Sequence, residues 1–178
     1  MKLSLGLAVA AVSLTAVAAF AAVESGLKPG AMPSPFQVVD VTGPNKGREL
    51  CYRCQYGNAP VLTAFVNGDV AKSGKLLTEL QKIVDANKSR GLRAFVTYMA
   101  GPEAKDAIQK VAADNKITIP LVFLPKGAKD EEVASYKINP KAKNTVILWK
   151  SSKVTANFVD VEADKTAEVA KAAEAMLK

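Results

Sequence analysis

Pro60-Val61-Leu62-Thr63-Ala64-Phe65-Val66 is a run of apolar and β-favouring residues that stops at Asn67-Gly68, and it reads as a short, fully buried strand. Leu76, Leu77, Leu80, Ile83 and Val84 then recur at helical spacing within residues 72–90, and Gly91 supplies a left-handed stop. Residues 92–99 return to a strand pattern. Strand, helix and strand in this order form a βαβ unit, with parallel strands and a right-handed crossover. That unit decides the fold class.

Working outward, the alternation continues. Pro102 suits the first turn of a helix that carries Ala104, Ala107, Ile108 and Val111 on one face. Residues 117–124 read as a strand interrupted by Pro120, and residues 129–136 as a short helix. Residues 145–149 and 154–159 flank Lys150-Ser151-Ser152-Lys153 as a β-hairpin whose last strand is expected near a sheet edge. Residues 163–177 close the chain as an amphipathic helix, with Ala163, Ala167, Ala170, Ala173 and Leu177 expected inward. Upstream, Phe36-Gln37-Val38-Val39-Asp40-Val41-Thr42 is β-rich, Gly43-Pro44-Asn45-Lys46-Gly47 has turn chemistry, and residues 48–52 return as a second hairpin arm. The order predicts one α/β domain around a mainly parallel sheet, with the late hairpin adding antiparallel strands.

The first residues do not belong to that domain. Lys2 is followed by an apolar and small-residue run to Phe20, and Ala19-Phe20-Ala21 gives an A-x-A pattern just before Ala22. This is the layout of a secretory signal peptide over residues 1–22. The rival reading, a membrane anchor, suffers from an Ala-rich run with no basic stop-transfer cluster after it. Cleavage leaves no membrane span and predicts an exported protein, periplasmic or extracellular. Residues 23–35, with three prolines and two glycines between Ser25 and Pro35, read as a Pro/Gly-rich linker to a domain over residues 36–178.

Composition narrows the chemistry. The formal net charge of +7 falls only to +6 when Lys2 is removed, and scattered lysines carry it. A nucleic-acid groove needs arginines and stacking aromatics interleaved, and Lys137, Lys141, Lys143, Lys150 and Lys153 have only Tyr136 and Trp149 nearby. A solvated basic surface is the reading, and no nucleic-acid partner is expected. The chain has no histidine, which removes His-based metal sites, Ser-His-Asp and Cys-His catalysis and His-ligated haem. No cofactor is expected. Asn87-Lys88-Ser89 matches a glycosylation sequon, on a predicted helix.

The order of elements resembles the thioredoxin-like superfamily, in particular its peroxiredoxin or redoxin branch, over residues 36–178. Phe36 to Gly43 is similar to that branch's opening strand and turn, and Pro60 to Phe65 to its first central strand. Ile119-Pro120-Leu121-Val122 with Ser135-Tyr136-Lys137-Ile138 resembles its third βα unit, and Thr145 to Val154 its closing hairpin. The resemblance implies a three-layer sandwich, a central mixed sheet with flanking helices and an N-terminal β-hairpin. It also implies a reactive cysteine after the first central strand. Here that stretch reads Val66-Asn67-Gly68-Asp69-Val70-Ala71-Lys72-Ser73, without one. A peroxidatic site in the usual place is absent, and the family's proline before the closing hairpin is not evident in Lys143-Asn144-Thr145-Val146.

The two cysteines, Cys51 and Cys54, precede the strand instead, in a stretch read as a loop to Pro60 with no helix N-terminus beneath them. The CxxC admits three readings. As a redox pair, one thiolate attacks a substrate disulfide and the other resolves the mixed disulfide, with Arg53 between them lowering a thiol pKa and Tyr52 shielding the site. As a staple, a disulfide closing so short a loop contributes only about 2 kcal/mol. As a metal clip, two thiolates suit Cu(I) or half of a shared zinc site, but Met32, Met99 and Met176 do not cluster with them in sequence. The resulting function is an exported thiol–disulfide oxidoreductase or redox-responsive protein whose partners are other exported proteins. The alternative is a non-catalytic binding or scaffold domain with a structural disulfide.

Overall fold

A computed structural model describes residues 23–178; the expected signal peptide, residues 1–22, lies outside the described residues. Seven strands build one sheet: β1 (Val38–Asp40), β2 (Glu49–Leu50), β3 (Val61–Val66), β4 (Arg93–Tyr98), β5 (Leu121–Phe123), β6 (Asn144–Lys150) and β7 (Lys153–Val159). Their spatial order is β2-β1-β5-β4-β3-β6-β7. Only β3, β4 and β5 run parallel; the pairs β2–β1, β1–β5, β3–β6 and β6–β7 are antiparallel. The sheet is therefore mixed, as the resemblance implied, with fewer parallel neighbours than the order of elements alone suggested. The opening hairpin does not stand apart but extends the sheet beyond β5. The late hairpin lies on the other side with β7 at the edge, as expected.

Among the described residues, four α-helices accompany the sheet: α1 (Tyr52–Tyr56), α2 (Gly74–Asn87), α3 (Lys105–Asp114) and α4 (Ala167–Met176). The crossovers β3-α2-β4 and β4-α3-β5 both step in one direction. Right-handedness therefore puts α2 and α3 on the same face. There Leu77, Leu80 and Ile108 meet Leu62, Ala64, Val96 and Leu148. Helix α4 joins them through Val169, Ala173 and Met176. Of the inward stripe expected for this helix, Ala173 is buried and Ala170 and Leu177 pack half-buried against the core; Ala167 is exposed, because the larger Val169 and Met176 offer more apolar area to bury. On α3, likewise, Ala107 is exposed and Val111 and Ala112 face the core.

The opposite face carries an aromatic core of Phe36, Tyr52, Phe65, Phe95, Tyr136 and Trp149. It is covered by α1, by a 3-10 segment at Glu131–Tyr136, and by residues 25–36. Residues 23–35 form no helix or strand, yet they are bolted to the domain. Gly30 N–H donates to Val154 O, Val154 N–H to Ala31 O, and Tyr136 Oη to Ser34 O. The Ser25 hydroxyl lies 2.6 Å from that of Thr145, and Asn157 Nδ2 donates to Ser25 O.

Gly26 lets this segment lie down. Its φ is +86°, and a Cβ there would sit 2.6 Å from Thr145 Cγ2. Left-handed backbone and overlap both penalise a side chain. Gly26→Ala is expected to cost about 2–4 kcal/mol, read as a lower urea midpoint at unchanged slope.

Candidate functional site

The cysteines sit where the edge strand β2 turns into α1. Cys51 is the N-cap of that helix, in extended conformation, and Cys54 closes its first turn. The two form a disulfide with Cα atoms 5.2 Å apart. Cys54 N–H donates to Cys51 Sγ at 3.0 Å, and Gln55 N–H to Cys51 O at 3.0 Å. A helix N-terminus therefore does lie at the pair, contrary to the loop expected there.

Five residues are too few to hold a helix alone, so the side chains must do it. Tyr52 and Tyr56, four apart, share the inward face. Tyr52 stacks on Phe95 with ring centroids 5.4 Å apart, and Tyr56 packs against both. Tyr56 Oη donates to Ala94 O, and Ser151 N–H to Asn58 O, which fixes the exit from α1 toward β3. The Arg53 guanidinium bonds Pro33 O and the Ser152 hydroxyl, tying α1 to the N-terminal segment and to the β6–β7 turn.

Beneath the site is a residue that sequence reading passed over. Asp40, 1% exposed, accepts hydrogen bonds from Gly43 N–H, Asn45 N–H and Tyr52 Oη. One carboxyl group thus organises the turn after β1 and seats the first residue of α1. The signal for it was a lone acid inside the apolar run Val38-Val39-Asp40-Val41.

Of the four residues expected at the site, Cys51 and Cys54 come together, with Cys54 exposed and Cys51 half-buried. Tyr52 is fully buried in the aromatic core. Arg53 sits in the same turn, but its guanidinium hydrogen bonds reach the N-terminal segment and the β-hairpin turn. The sulfurs border an open depression of about 450 Å³ lined by Asn45, Arg48, Glu49, Leu50 and Gln55. Among the described residues, no cluster of three or more acidic, Cys or His side chains could hold a metal.

The position that carries the reactive cysteine in the superfamily is elsewhere. It lies at the end of β3, beside a more enclosed cleft of about 450 Å³ bounded by Val66, Asn67, Ser73, Asn144 and Val161. Two of its polar side chains are tied up internally: Asn67 Nδ2 bonds Asn139 O and Ala142 O, and Ser73 Oγ lies 2.7 Å from Tyr98 Oη. β2 is four strand spacings from β3, roughly 19 Å, so the two places cannot share a reaction. The sequon asparagine, Asn87, is buried and bonded to Ile83 O.

Burial pushes the Tyr56 phenol up to about 12 and the Tyr98 phenol up to about 12. Burial also raises Tyr52 and Tyr136. A phenol raised above its ordinary 10.0 stabilises the fold fully below that pH and loses the contribution as pH climbs through about 12. The protein is expected to unfold cooperatively in that window, with phenolate absorbance rising together with loss of circular dichroism.

The sequence matches no protein-family model and no curated protein. Solved structures do match. A protein from Bacteroides thetaiotaomicron named as a disulfide isomerase superposes with TM-score 0.69 at 16% identity, over 87% of this chain and 94% of that one. Peroxidoxin BcpB from Mycobacterium tuberculosis superposes with TM-score 0.64 at 17% identity, over 84% and 98%. The thioredoxin domain of a thiol-disulfide oxidoreductase from Bacteroides vulgatus gives 0.62 at 18% identity, over 82% and 96%. The fold is thioredoxin-like, as the sequence resemblance implied.

Proposed function

We propose that this protein is an exported thiol–disulfide oxidoreductase or redox-responsive protein that works through Cys51 and Cys54. The observation that carries the reading is the reachable disulfide at the start of α1, with Cys54 exposed and its N–H on Cys51 Sγ. On reduction the same N–H stabilises a thiolate on Cys51, which makes it the attacking sulfur. Cys51 attacks a substrate disulfide, forming a mixed disulfide and releasing one substrate thiolate, which takes a proton from water. The Cys54 thiolate then attacks Cys51 Sγ, closing the intramolecular disulfide and releasing the second substrate thiol. Two electrons pass to the substrate, and a small dithiol restores the reduced protein. Solved proteins of this fold that are named for thiol–disulfide chemistry support the reading.

Export supports it from the other side. A signal peptide cut after Ala22 delivers a domain starting at Val23 to a compartment where disulfides persist. Its partners are then other exported proteins bearing cystine. No helix among the described residues is long and apolar enough to cross a membrane.

The second reading, a binding domain with a structural disulfide, rests on the hydrogen bonds of Arg53, which go to Pro33 and Ser152. Trapping separates the two. A protein disulfide is offered to reduced wild type, Cys51→Ser and Cys54→Ser. Exchange predicts turnover by wild type, a stable mixed disulfide on Cys54→Ser and none on Cys51→Ser. Background rates for all three would leave the structural reading standing.

A further inference from the structure

Strand β2 is the outermost strand of the sheet, and its free edge leads directly into Cys51. Its hydrogen-bond phase can be read from the hairpin. Asp40 N–H donates to Arg48 O and Asp40 O accepts from Gly47 N–H, so Gly47 and Arg48 form a bulge opposite Asp40, and Arg48 stands at a hydrogen-bonded position. Alternation makes Val39–Glu49 a non-bonded pair and Val38–Leu50 a bonded one. The N–H and C=O of Glu49 therefore point away from β1, toward open solvent. Among the described residues neither has a partner, and the same holds for the N–H of Cys51, two residues on. Edge donors and acceptors of this kind accept an added strand.

We infer that this edge is the docking site for the substrate polypeptide of the exchange reaction, bound as an extended antiparallel strand on Glu49 and Cys51; the inference rests on the redox reading. The pairing fixes the register. A peptide residue exchanging both hydrogen bonds with Glu49 places the residue two positions before it opposite Cys51. In a bonded antiparallel pair the Cα atoms are about 5.5 Å apart, inside the range a disulfide spans. A substrate cysteine at that position therefore reaches Cys51 without distorting either backbone. The side chains of Glu49 and Cys51 lie on one face, so the residue paired with Glu49 meets a carboxylate and is best basic. The substrate class is an extended segment carrying Cys-x-Lys or Cys-x-Arg, with its cysteine in a disulfide. A second copy of this chain fits poorly, because symmetric pairing about this position would set Glu49 against Glu49.

The mixed disulfide of a short Cys-Ala-Lys peptide with a chromogenic aromatic thiol is the probe. Attack by reduced Cys51 forms a bond to the peptide sulfur and releases the coloured thiolate. Three substrates are compared on the reduced wild-type protein: this peptide, the same peptide N-methylated at the lysine amide, and the symmetric aromatic disulfide with no peptide. The methyl group removes the donor to Glu49 C=O and is expected to slow release about tenfold. Replacing the lysine by glutamate should slow it further. Equal rates for parent and N-methylated peptides would overturn strand docking while leaving the redox reading intact. Failure of all three substrates to react would sink both. A stable dimer that the peptide leaves undisturbed would assign the edge to a second copy and overturn the proposal.

Discussion

Asp40→Ala is expected to lower the stability of the protein by about 3 kcal/mol, because it strands three donors at once. Gly43 N–H, Asn45 N–H and Tyr52 Oη all point at this carboxyl group, and the site is buried. Water cannot replace it without opening the turn. Asp40→Asn keeps one acceptor oxygen and should lie between alanine and wild type. Tyr52→Phe removes one donor and should cost about 1–2 kcal/mol. A double-mutant cycle between Asp40→Asn and Tyr52→Phe isolates their contact, and a coupling indistinguishable from zero would mean that the hydrogen bond does not seat α1. The readout is the urea midpoint with the slope held as a check on two-state behaviour.

Phe95→Ala should be costlier still, about 4 kcal/mol, within the range for deleting a buried aromatic side chain. Phe95 is fully buried at the centre of the second core. It stacks beneath Tyr52, touches Tyr56, and meets Trp149 edge-on at 6.1 Å. Removing it leaves a void under the only inward face α1 has. The variant should therefore lose native Trp149 fluorescence and expose α1 to proteolysis before the sheet unfolds globally. Phe95→Leu refills most of the volume and should cost about 1.5 kcal/mol. A Phe95→Ala protein as stable as Phe95→Leu would show that the aromatic stack contributes nothing beyond volume.

What could be read from the sequence follows from where period and turn chemistry are strong. The stripe from Leu76 to Val84 marked α2, and Gly91, with φ +87°, closes the 3-10 turn Lys88–Arg90 that follows it. The turn at Ser151 and Ser152, both at positive φ, lies within the stretch Lys150-Ser151-Ser152-Lys153 that the two flanking strand runs marked as a hairpin. Helix α1 was hidden because its five residues carry too little periodicity and it is held by tertiary contacts with Phe95 and Ala94. The packing of residues 23–35 was hidden for a similar reason. It depends on backbone bonds to Val154 and Lys137 and on single side-chain bonds such as Ser25 to Thr145, which leave no periodic pattern. The pairing of the two cysteines in one disulfide was legible. Its place at an open sheet edge was not, because that depends on β1 joining β5 and leaving β2 outermost.

Cys51 and Cys54 are proposed to exchange electrons with a partner protein. The reduction potential of the pair tests it most directly, measured by equilibrating the protein in glutathione or dithiothreitol buffers, alkylating free thiols and weighing the products. An exchange-active pair predicts a midpoint above about −230 mV, in the range of oxidoreductases. A midpoint below about −300 mV, the range of structural bridges, would contradict it and make the disulfide a staple for α1.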